Sequence, residues 1–175
     1  MENSDKKKPN ATKIKTFPIP FPVKTIIEDI SISTHSPRQS SKEQIINQAF
    51  KLHSHGNIPE AVKLYQYFIN QGFQDHRVFS NYGVILKNAG NFKEAEMSYR
   101  KAIELNPNIA DSHYNLGIIL RDLGRLKEAE VSTRKAIQIN PDFAEAHLNL
   151  GSILKDIGNL QEAEVSTRKA IQINP

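Results

Sequence analysis

Glu-Ala-Glu-Val-Ser-Thr-Arg-Lys-Ala-Ile-Gln-Ile-Asn-Pro runs from Glu128 to Pro141 and recurs unchanged from Glu162 to Pro175. The two copies begin 34 residues apart, and working outward finds the same step elsewhere. It separates Gly83, Gly117 and Gly151, then Gly56, Gly90, Gly124 and Gly158, then Ala61, Ala95, Ala129 and Ala163. Asn-Pro recurs at 106–107, 140–141 and 174–175. Independent ladders sharing one period mark a repeat array.

One unit, 110–143, shows what repeats. Leu116, Ile119, Leu120 and Leu123 follow three- and four-residue steps and share one helix face. Gly124 then stands where a helix end needs a left-handed residue without a Cβ. A second periodic stretch, Leu126, Ala129, Thr133, Ala136 and Ile137, runs to Asn140-Pro141, where proline discourages further helix. The unit predicted is helix, tight turn, helix. Asn57…Glu60, Asn91…Glu94, Asn159…Glu162 and Asp142…Glu145 have capping-box spacing, each box worth about 1 kcal/mol. Arg125 replaces the capping Asn in one unit, so that helix is expected to begin less sharply. One hairpin cannot bury its apolar face, whereas stacked hairpins can. A small rotation per unit then curves the stack and leaves a concave face made by the first helices.

Composition divides the chain of 175 residues. All eight glycines follow residue 55, while five of nine prolines precede residue 42. Residues 1–41 hold seven basic and four acidic side chains, most of the net charge of +4. Met1 to Lys15 is polar and lysine-rich, with little to bury against its ordering entropy, and is expected to be disordered. Phe17-Pro18-Ile19-Pro20-Phe21-Pro22-Val23 reads as an extended, apolar docking segment, and Ser31 to Ser41 as a polar linker. No apolar run approaches the roughly 18–20 residues that span a bilayer, and no signal-peptide core follows the lysines. With no cysteine, disulfides, thiolate zinc sites and a cysteine nucleophile are excluded. The expectation is a cytoplasmic protein without a cofactor, its near-neutral body giving no reason for nucleic acid or membrane as partner.

The 34-residue helix–turn–helix period resembles the tetratricopeptide repeat, on Leu116-Gly117, Ala129, Ala136 and Pro141, then Leu150-Gly151, Ala163, Ala170 and Pro175. Tyr82-Gly83, Ala95, Tyr99, Ala102 and Pro107 fit in the preceding unit. The first unit is degenerate: Ala49, Leu52, Gly56, Ala61 and Tyr65 fit, but Phe68 and Phe73 replace the small residue and the proline. The resemblance implies an all-α fold, an α-solenoid of four repeats wound as a right-handed superhelix behind a disordered or extended N-terminal tail. The tail is 1–41 and the array 42–175, divided as 42–75, 76–109, 110–143 and an incomplete 144–175. His113 and His147 stand where the family has a bulky aromatic, and Thr133 and Thr167 where Tyr65 and Tyr99 stand earlier. The last two repeats are therefore expected to pack less tightly.

Asn81, Asn115 and Asn149 hold one site in three successive first helices. They resemble the asparagine ladder lining the arrays of protein O-linked N-acetylglucosamine transferases, which implies hydrogen bonding to an extended polypeptide. An amide offers both donor and acceptor and can read a backbone without reading its sequence; the competing reading is a tolerated polar residue on a solvated face. Tyr114, Arg121 and Lys155 are the expected supporting contacts. A clamp for an acidic chaperone C-terminus is disfavoured by Asp111 and Glu145 among the inner positions. His113 and His147 are expected to pack helices rather than hold a metal, and no motif supports catalysis.

The expected function is a non-catalytic scaffold that binds an extended peptide or a partner helix on the concave face. The alternative is a substrate-recruiting or oligomerising module of a longer enzyme, a glycosyltransferase or other transferase, as the resemblance to cyanobacterial repeat arrays joined to transferase domains implies. The last helix, 161–173, carries Ala163, Ala170, Ile171 and Ile173, which an interior unit would cover. A longer array, self-association or the Phe17–Val23 segment could each supply that cover.

Overall fold

The computed structural model describes residues 37–175, with side chains from Lys42 onward. The expectations for Met1–Lys15 and Phe17–Val23 lie outside the described residues. Those described form eight α-helices and no strand: α1 (Pro37–Ser54), α2 (Ile58–Asn70), α3 (His76–Asn88), α4 (Phe92–Leu105), α5 (Ala110–Asp122), α6 (Leu126–Ile139), α7 (Ala144–Ile157) and α8 (Leu160–Ile173). The described part is an α-solenoid of four helical hairpins. α1 reaches back into the stretch expected to be linker. Its first residue is Pro37, and a proline at the first helical position gives up an amide that no intrahelical carbonyl would have accepted.

α2, α4, α6 and α8 begin at equivalent residues because one turn precedes each of them. At α5–α6, Gly124 N–H donates to Arg121 O at 2.8 Å and Arg125 N–H to Leu120 O at 2.8 Å. This pair of bonds is the Schellman closure, and Gly124 supplies its left-handed residue at φ 73°. Asn57, Asn91 and Asn159 donate equivalently to Leu52, Leu86 and Leu154, each at 2.9 Å. That bond overturns most of the capping-box expectation. The amide to which the glutamate would reach back is already committed to the preceding helix. Asn57 and Asn91 make no side-chain cap; only Asn159 accepts from Glu162 N–H, at 3.5 Å. The Asp142 box does not form either, since the first turn of α7 starts from Phe143 and Asp142 N–H donates to Asn140 Oδ1 at 3.2 Å. Arg125 likewise leaves the start of α6 unblurred: Gly124 sets the turn, whatever side chain follows it.

The core runs through the stack rather than inside each hairpin. Leu86, Ala95, Tyr99, Leu116, Ile119, Leu120, Ala129 and Ile153 form one buried cluster drawn from three repeats. Fully burying such a Leu or Ile is worth about 1.5–3 kcal/mol, and most of that burial requires the neighbouring unit. Small residues set the closeness. A Cβ on Gly83 would lie 2.8 Å from the Tyr99 ring, and one on Gly117 would collide with the Thr133 hydroxyl. The repeat carrying Thr133 is therefore not loosened as expected: the side chain is as fully buried as Tyr99 and fills the space that Gly117 leaves. The first repeat solves its missing proline differently. Phe73 N–H closes on Phe68 O at 3.3 Å, and the two rings pack at a tilt with centroids 5.2 Å apart.

Candidate peptide-binding face

Side-chain bonds between repeats sort the helices onto two sides. Arg77–Glu43 at 3.3 Å ties α3 to α1, Ser112–Ser80 at 3.3 Å and Lys87–Asn115 at 3.1 Å tie α5 to α3, and Arg121–Asp156 at 2.8 Å ties α7 to α5. Across the second helices, Arg100 reaches Glu128 at 3.2 Å, Arg125 reaches Glu96 at 2.8 Å, and Arg134 reaches Glu162. Glu96 shows the strength of that second network: burial alone would raise its pKa, yet its bonds to Arg100 and Arg125 hold the carboxyl below the usual range. First helices thus neighbour first helices, and second neighbour second.

On the first-helix side, Asn81 and Asn115 are held alike. Asn81 Nδ2 donates to Arg77 O and Asn115 Nδ2 to Asp111 O, each at 2.9 Å and each one turn back along its own helix. One amide hydrogen is thereby spent on fixing the rotamer, leaving the second hydrogen and the amide oxygen directed by a rigid element. On Asn115 that oxygen accepts from Lys87. Asn149 is different: its Nδ2 donates to Thr133 Oγ1 at 3.2 Å, across to α6. The ladder expected as three equal rungs is two equal rungs and one turned toward its own stack. All three residues are half-buried.

Tyr114, Arg121 and Lys155 lie on the same set of helices with different freedom. The Tyr114 and Phe143 rings pack at a tilt with centroids 4.9 Å apart, Phe143 standing just before α7, and burial, with Glu145 nearby, raises the Tyr114 pKa. Arg121 is joined to Asp156, while Lys155 is exposed. Two residues belong with them that the sequence reading passed over. Asn47 precedes Asn81 by one period and is exposed, making a fourth rung; Lys87 precedes Arg121 and Lys155 by one and two periods. The 34-residue step alone would have found both. A hollow of about 470 Å³ lined by Phe50, His53, Ser54 and Asn81 opens between α1 and α3. Burial lowers the pKa of His53, which shares a 3.2 Å hydrogen bond with the Tyr65 hydroxyl.

Larger hollows repeat along the second helices, about 1050 Å³ over Leu116, Leu120 and Val131, and about 650 Å³ over Leu150 and Val165. Their floors are apolar, and Arg100 and Glu128, then Arg134 and Glu162, are paired across their rims. His113 and His147 each bond to the bend before their helix. His113 Nε2–H donates to Pro107 O and His147 Nε2–H to Pro141 O, both at 2.9 Å, each latching a helix to the Asn-Pro bend before it. Burial, the largest influence on His113, holds its pKa below the ordinary value. Among the described residues no group of three or more His, Cys, Asp or Glu could hold a metal, and no helix is long and apolar enough to cross a membrane.

The repeat geometry has counterparts. Tetratricopeptide-repeat family models match residues 110–143 and 133–165, and a TPR-repeat model matches 83–124. The chain carries tetratricopeptide repeats over residues 83–165. Solved structures similar to this tetratricopeptide-repeat chain include MamA, at 21% identity over 86% of this chain and 83% of MamA, with a TM-score of 0.73. YrrB, described as a TPR protein with an unusual peptide-binding site, is 23% identical over 79% of this chain and 71% of its own, with a TM-score of 0.70. The second TPR of Spaghetti (RPAP3), bound to the HSP90 peptide SRMEEVD, is 19% identical over 58% of this chain and 94% of its own, with a TM-score of 0.57. At such identities the likeness is one of fold. No curated protein matches the sequence.

Proposed function

We propose that this tetratricopeptide-repeat array is a non-catalytic scaffold that holds an extended peptide along the concave, first-helix side. Asn47, Asn81, Asn115 and Asn149 meet the peptide backbone, and Tyr114, Arg121 and Lys155 make side contacts. The observation carrying this reading is the shared anchoring of Asn81 and Asn115 to the carbonyl one turn back in their own helices. Their amides are preorganised at equivalent places, so less ordering entropy opposes binding. Peptides named for YrrB and for the RPAP3 domain support the same class of ligand.

The test selects a binding peptide from a random library and titrates it calorimetrically against the chain and its Asn81→Ala/Asn115→Ala variant. Loss of two net hydrogen bonds at about 0.5–1.5 kcal/mol each predicts roughly 5- to 150-fold weaker binding with unchanged circular dichroism. Equal affinity for both proteins removes the ladder from the site.

A further inference from the structure

The second-helix side differs in chemistry from the concave one. Met97, Val131 and Val165 recur one period apart on α4, α6 and α8 and stand 57%, 70% and 66% exposed. Apolar side chains scattered singly on a surface are ordinary, but these keep one register, and two of them border a hollow with an apolar floor. The larger hollow, about 1050 Å³, lies between α4 and α6 over Leu116 and Leu120 of α5. It belongs to the second and third repeats, and each of those has a further hairpin packed on its outer side, so neither end of the array makes it.

Local sequence opens this interval and sets its charge. One repeat earlier Tyr82 stands at the register of Leu116, and its hydroxyl accepts from Gln66 Nε2 on α2 at 3.1 Å, bridging the corresponding interval. Leucine stops short of such a bridge. Lys101 on α4 is neutralised by Glu104 at 2.7 Å. At the equivalent places α6 has Lys135 and Gln138, whose amide oxygen accepts from Lys135 Nζ at 3.0 Å without offsetting the charge. Lys135 is half-buried at the edge of the hollow. Both carboxylates lining the hollow are occupied, Glu104 with Lys101 and Glu128 with Arg100 and Arg125. The next hollow repeats the types, with Val165 beside Lys169 and Gln172.

We propose that the α4–α6 hollow is a second docking surface, which takes an acidic amphipathic helix of a partner protein. The apolar face of that helix lies on Leu116, Leu120 and Val131, and a flanking carboxylate meets Lys135. The form fits. Leu116 and Leu120 are one turn apart along the floor, and the α6 wall from Lys127 to Gln138 is about 16 Å long, about three turns of a docked helix. Charge selects the occupant. A second copy meeting this face with its own would set one basic wall against another. Residues 1–41, with seven basic and four acidic side chains, have the wrong sign to seek Lys135.

The test displays helices of roughly 18 residues, about five turns, with leucine fixed along one face and every flanking position random, and selects them against the 175-residue chain. Selected flanks should be rich in Asp and Glu. In fluorescence anisotropy Lys135→Glu should weaken a labelled selected peptide about tenfold. Val131→Asp, at a site 70% exposed, should weaken it at least as much, both with unchanged circular dichroism. Changing the acids of the peptide to lysine should restore its binding to the Lys135→Glu chain. Neither substitution should alter the affinity of an extended peptide held on the concave face, which keeps the two readings apart. Flanks without acidic enrichment, affinity indifferent to both substitutions, or binding lost with Asn81→Ala/Asn115→Ala instead overturns the proposal. So does displacement by a peptide of the Phe17–Val23 sequence, or a chain that sediments as two copies until Val131→Asp returns it to one.

Discussion

α6 and α8 share twelve consecutive residues, the same helix length and the same preceding turn, yet among the described residues α6 alone of the two has a repeat stacked beyond it. Everything that depends on the chain's own next few residues is alike. Asn140 N–H donates to Ala136 O at 2.9 Å and Asn174 N–H to Ala170 O at 3.0 Å. Everything that depends on the neighbour differs: Arg134 bridges Glu130 and Glu162, whereas Arg168 is held only by Glu164 of its own helix. In this array the hairpin is a local product and the interface a collective one.

That division can be broken most sharply at the isoleucines. Ile137→Asp buries a charge against Leu150 and Leu154 and should cost about 2–4 kcal/mol, whereas Ile171→Asp should stay within about 0.5 kcal/mol. Urea unfolding at low protein concentration measures both; equal losses would mean that stacking does not distinguish the two helices. The turns should respond identically instead. Gly124 and Gly158 sit at φ 73° and 93° with open space around the missing Cβ, so alanine at either should cost about 1 kcal/mol through backbone strain alone. A large inequality would show that neighbours shape the turns too. The smallest effect belongs to the arginines. Arg134→Ala should lose about 0.5 kcal/mol and Arg168→Ala nearly nothing, because surface pairs between exposed side chains are weak. Thermal melts in about 1 M salt should erase that difference.

Much of the fold could be read from spacing. The glycine ladder placed the turns, the proline ladder placed the ends of the second helices, and three- and four-residue apolar steps gave the buried faces. What misled the reading were cases of one group with two suitors. Asn57 and Asn91 have capping-box spacing, but the amide that completes the box is claimed by a leucine carbonyl five residues earlier. Thr133 is smaller than Tyr99, yet it is as fully buried, its hydroxyl standing against Gly117 as the Tyr99 ring stands against Gly83. Asn47 was missed for another reason: the ladder was keyed to the Leu-Gly or Tyr-Gly pair that follows each asparagine, and the first repeat has Gln48-Ala49 there.

By itself the sequence determined the helices, their turns and the period, because helix periodicity and the left-handed glycine act over a few consecutive residues. Only the tertiary structure decided that Asn149 turns to Thr133, that Arg125 clasps Glu96 and that Ile171 stands in the open. Those outcomes join groups from different helices, or depend on whether a neighbouring repeat lies alongside. Such pairings exist only once stacking has fixed the distances between hairpins.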